Sequence, residues 1–194
     1  MLTLLRLYAQ VNTWVLRLMR HVAWMALALM VVVILAQVFF RYVLNNALPW
    51  PDEAARFLML WMTALMAPSA MRWGGFVSID MLPRALPRVI GLVLTLVLLV
   101  ASLVVLIVGL SHGYNHTFGF GGNFNSSSLR LPLDWFGFEV VRVKLRYMYA
   151  SLLLCVGMMS VVTVEMILRT LIALINPSAE LPPDDAPNGV MEAE

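Results

Sequence analysis

The residues of this chain that could carry chemistry are few, and the histidines come first: His21, His112 and His116. Two histidines facing each other between membrane helices can hold a haem iron. His21, however, opens one long uncharged stretch, while His112 and His116 follow the end of another. Alternating topology then puts them on opposite faces of a hydrocarbon core about 30 Å thick, too far apart to share an iron. His112 and His116 are four apart and would share a metal on one helical face. Gly113 and the glycines at 119, 121 and 122 argue against a helix there, so solvated loop histidines are expected.

The other reactive side chains give no catalytic set. Cys155 is the one cysteine and lies in an apolar stretch, which excludes an internal disulfide and reads as a small buried hydrophobe. Glu165 and Arg169 stand four apart, the spacing of an ion pair at the end of a helix. Gln37 suits an interhelical hydrogen bond. Pro68 implies a kink whose freed carbonyl Thr63 or Ser69 would satisfy. No glycine-rich phosphate loop, nucleophile elbow or carboxylate dyad is present, so no enzyme is expected.

One stretch is richer: Arg41-Tyr42, then Pro49-Trp50-Pro51-Asp52-Glu53-Ala54-Ala55-Arg56. Pro51 suits a first helical position, and Asp52 and Glu53 complement the positive end of the helix dipole. Glu53 and Arg56 are placed to pair three residues apart. Helix capping accounts for all of this.

The elements that position these residues follow from composition. Of 194 residues, 61% are hydrophobic and 12% charged, against roughly 25% charged in ordinary soluble domains. A soluble core of this size could not enclose so much apolar surface. The net charge of +2, with no run of Lys or Arg, gives no reason to expect nucleic acid. Apolar segments at about 22–40, 54–71, 89–110 and 147–165, charged only at Arg56 and Glu165 near their ends, have the length a bilayer demands. Backbone groups in lipid must pair within their own segment, and these do not alternate as barrel strands do. The expected fold is therefore all-α, integral to the membrane, with four spans in a domain covering residues 22–170.

Residues 1–21 repeat at helical spacing, with Leu4, Leu7, Tyr8, Val11, Trp14, Val15 and Leu18 on one face. Arg6, Gln10, Thr13, Arg17 and Arg20 lie opposite. This reads as an amphipathic helix in the membrane interface, or as one packed on a partner's surface. Arg17 and Arg20 interrupt it, so it is not a cleaved signal peptide. The 111–135 connection, rich in Gly, Asn and Ser, reads as an exposed loop. Val141-Arg142-Val143-Lys144-Leu145-Arg146 alternates like a strand, but directly before a span it is read as a second interfacial helix. Residues 171–194 form a tail that is rich in Pro and acids from Asn176 on and reads as flexible. Basic residues divide seven to six between the two sides, which does not orient the chain. Arg17 and Arg20 against Arg41, weighed at the first span, favour both termini in the cytoplasm.

At the motifs just quoted, the chain resembles the small membrane subunit of tripartite ATP-independent periplasmic (TRAP) transporters, the DctQ-like family. Those subunits leave the first span with Arg-Tyr. They enter the second through Pro-Trp, an acidic pair and an Arg three residues later. After the second span they continue with an Arg, a Gly-Gly and a closing acid, as in Arg72-Trp73-Gly74-Gly75-Phe76-Val77-Ser78-Ile79-Asp80. Relatives usually carry His where Phe76 stands and often a base where Ser78 stands. Ser127-Ser128-Leu129-Arg130-Leu131-Pro132 echoes a further family run before the fourth span. The resemblance covers roughly residues 20–170.

This resemblance implies a scaffold subunit in the bacterial inner membrane. Its partners would be membrane lipid, a large multispanning subunit working as an elevator, and a periplasmic binding protein that delivers an organic acid, typically a carboxylate. Sodium and substrate would bind the large subunit, leaving this chain without cofactor or metal. Arg41, Trp50, Asp52, Glu53, Arg56, Arg72, Gly74, Gly75 and Asp80 become structural or partner-contact candidates. The alternative is a membrane anchor of a redox complex, which the histidine placement disfavours.

Overall fold

The computed structural model describes residues 2–46, 48–74, 86–131 and 141–176. The chain is a multi-pass membrane protein, with four helices among the described residues long and apolar enough to span. They are α1 (Leu2–Tyr42), α2 (Pro51–Arg72), α3 (Arg88–Phe118) and α4 (Arg146–Ile175). A 3-10 turn over Phe120–Asn123 and two short strands, β1 (Asn125–Leu131) and β2 (Val141–Lys144), join α3 to α4. In space the helices follow the order α1, α2, α4, α3, with α1 also meeting α4 through its amino-terminal half.

The amphipathic segment and the first span are one uninterrupted helix of 41 residues. At about 1.5 Å per residue it is roughly twice as long as the hydrocarbon core is thick. Its amino-terminal half packs on this chain's own α2 and α4 through Leu5, Ala9, Asn12, Leu16, Met19 and Ala23. That stripe has the alternating spacing of four and three residues of a coiled-coil seam. The apolar face expected to meet lipid or a partner points outward: Leu7 is 61% exposed and Trp14 67%, against 0% for Leu16.

The exposed loop expected over residues 111–135 is instead helix as far as Phe118 and strand β1 over Asn125–Leu131. Helix α3 continues to Phe118, where the Gly119 amide donates to the Asn115 carbonyl. Thr117 Oγ1 donates to the Gly113 carbonyl inside this last stretch. Gly113 sits against α4, where a Cβ would make ordinary contact with Leu153, 3.4 Å from its Cδ1 and 3.6 Å from its Cα.

The second interfacial helix expected before the fourth span does not form over 141–144. These residues are a strand, antiparallel to β1, with Leu131 opposite Val141 and Asn125 opposite Lys144. The period-2 alternation and β-branched Val141 and Val143 favour a strand once a partner strand is available. The expectations for Gly75, Asp80 and the tail from residue 177 fall outside the described residues.

Candidate functional site

Two clusters of polar side chains tie the helices together, and they sit at opposite ends of α2. The first is at the helix start. Pro51 is buried at the first helical position, and Trp50 precedes it without capping the helix through its side chain. Asp52 accepts a hydrogen bond of 2.8 Å from Gln37 Nε2, the interhelical bond that the sequence suggested for Gln37. Glu53 accepts one from the Ser126 hydroxyl, which fastens β1 to α2. Ser126 is almost fully buried. The expected Glu53–Arg56 pair is not made: Arg56 is exposed and has no ion pair among the described residues. Arg41 ends α1 with its guanidinium 5.8 Å from the Tyr42 ring.

The second cluster is at the far end of α2. Glu165 was expected in the last turn of its helix, paired only with Arg169. Because α4 continues to Ile175, Glu165 lies well inside it and is fully buried. Its Oε1 takes Arg72 Nη2 at 2.8 Å as well as Arg169 Nε at 2.9 Å and Nη2 at 2.8 Å. Its Oε2 accepts from the Asn12 side chain. Arg72 Nη1 donates to Thr13 Oγ1 at 2.6 Å, and Nη2 also reaches the Ala9 carbonyl at 3.4 Å. Three helices thus converge on one carboxylate. Each charge has lost water, so it depends on these partners.

Gly74 closes α2 at φ 75°, a left-handed conformation, with its amide donating to the Met71 carbonyl at 3.2 Å. Arg20 lies over the Trp73 ring at 5.0 Å, holding α1 to the same corner. Pro68 is buried within α2. Neither hydroxyl expected to serve its kink does so visibly, since Thr63 donates to Met59 O and the Ser69 hydroxyl has no partner.

Of the sequence candidates, Asp52 and Glu53 share one cluster, Arg72 belongs to the other, and Gly74 adjoins it. Asn12, Thr13 and Ser126 were missed. The signal that could have found Asn12 is its place as a polar residue among Leu5, Ala9, Leu16 and Met19 at alternating spacings of four and three. His21 stays near the Arg72 end, its Nδ1 2.7 Å from the Arg17 carbonyl, and the other two histidines are at the opposite end of α3. That separation gives no support to a haem-bearing redox anchor.

No curated protein matches this sequence. The family model described as "Tripartite ATP-independent periplasmic transporters, DctQ component" matches residues 30–173, from the middle of α1 to the last turn of α4. The match takes in the Trp50 entry motif, Arg72 and Glu165, and it leaves out Asn12 and Thr13. With three quarters of its length inside that model, the chain belongs to the DctQ family and is a small component of a TRAP transporter.

Proposed function

We propose that this chain is a non-catalytic scaffold subunit, bracing a large multispanning subunit that carries both the sodium and the substrate sites. The substrate is an organic acid, a carboxylate, handed over by a periplasmic binding protein. The membrane is the bacterial inner membrane, and both termini face the cytoplasm.

One observation carries the reading. The charged side chains buried among the described residues are Arg72 and Glu165, and they are paired with each other. A transporter working alone needs polar or charged groups free to meet its solute near the midplane. Here the buried charge is spent on holding helices together. The long exposed apolar faces of α1 and α3 support the same reading, because they leave broad surface for lipid and a neighbouring subunit.

Expression with and without a large TRAP membrane subunit tests this. Co-purification in mild detergent is expected, and reconstituted uptake requires both chains. Uptake by this chain alone would overturn the scaffold role.

A further inference from the structure

We propose that His112 and His116 form a two-histidine binding site for a divalent transition-metal cation of the Zn2+ type, on the exposed flank of α3. The objection raised by the glycines does not hold in the folded chain. Helix α3 runs without a break to Phe118, so the two histidines stand at i and i+4 on continuous helix. Residues so spaced lie one above the other on the same face. Two histidines at this spacing are what a helix uses to grip zinc in metalloproteases.

The surroundings favour a cation. Both side chains are exposed, and neither imidazole has a hydrogen-bond partner among the described residues. His116 packs against the Tyr149 ring of α4, with centroids 5.8 Å apart, which steadies one ligand in advance. It also lies in the last turn of α3, where the carbonyl end of the helix dipole attracts positive charge. Imidazole nitrogens suit zinc, copper and nickel, whereas magnesium and calcium prefer oxygen.

No group of three or more His, Cys, Asp or Glu gathers among the described residues. The site is therefore bidentate, and its remaining coordination positions go to water or to a group from another molecule. His21 is the internal control. It too is exposed, but has no second histidine one turn away.

The test is calorimetric titration of Zn2+ into the full-length chain in detergent, purified through a tag free of histidine. One equivalent is expected for the native chain and for His21→Gln. Loss of that binding is expected in His112→Gln and in His116→Gln. Glutamine at exposed helical positions leaves the fold intact, which far-UV circular dichroism verifies. No uptake by the native chain would overturn the proposal, as would undiminished binding in both α3 variants or equal loss in His21→Gln. None of these outcomes depends on the scaffold role.

Discussion

Arg72 and Glu165, ninety-three positions apart in the chain, meet at 2.8 Å with both side chains almost wholly enclosed. Removing one member of a buried pair costs about 3–5 kcal/mol, because the other is left charged and dry. The two removals are not equivalent here. Glu165→Ala strands Arg72, whereas Arg72→Ala leaves Glu165 still paired with Arg169. Glu165→Ala is therefore expected to lower the unfolding midpoint in detergent further than Arg72→Ala. The double variant Arg72→Met with Glu165→Leu is expected to recover much of the loss. Equal loss in the two single variants would contradict this geometry.

Asn12 gives Glu165 its remaining hydrogen bond from a position inside the α1 seam, and its own Oδ1 has no partner. A hydrogen bond to a charged group contributes about 1.5–3 kcal/mol. Asn12→Leu loses that bond but relieves the unpaired oxygen and adds apolar contact, so a smaller net loss is expected. Asn12→Asp places a second carboxylate against the first and is expected to be the worse variant. Thermal unfolding of both proteins in the same detergent decides the order.

The spans were legible because a bilayer demands length and lack of charge, and both can be counted along the chain. Which face of a span packs inward was not legible by the same means. Along α1, Leu7, Val11, Trp14 and Leu18 repeat as regularly as Leu5, Ala9, Asn12 and Leu16, yet the first set faces outward. Lipid is as apolar as a protein core, so hydrophobicity cannot rank the two. Small and polar residues such as Ala9, Asn12 and Ala23 mark the interface instead. The Arg72–Glu165 pair was invisible for another reason: nothing local links residues on helices that meet only through the fold. The strand at Val141–Lys144 was readable from its alternation, but its partner, Asn125–Leu131, opens with an asparagine and three serines and so reads as loop.

Gly74 holds φ at 75°, where a side chain costs about 1–2 kcal/mol. Gly74→Ala is expected to destabilise the end of α2 by that amount. Because Arg72 and Trp73 immediately precede it, the α1 contacts at Arg20 and Thr13 should loosen as well. Faster hydrogen exchange at the amides of residues 70–73 would register this. Unchanged exchange and an unchanged midpoint would show that the cap is not needed.

At the other end of α2, Glu53 rather than Arg56 carries the structural load. Glu53 reaches the buried Ser126 hydroxyl and so fastens β1 to the helix, while Arg56 stands exposed. Glu53→Ala and Ser126→Ala each remove the same hydrogen bond, so the double variant is expected to cost less than the two single losses added together. Faster hydrogen exchange across Asn125–Leu131 and Val141–Lys144 is expected in all three. Arg56→Ala, at an exposed position, is expected to stay within about 0.5 kcal/mol of the native chain. Substrate preference in a reconstituted transporter should not change in any of these variants, because the bond positions a hairpin and meets no solute. A shift in preference on Glu53→Ala would place this corner in the transport path and rule out a purely bracing role.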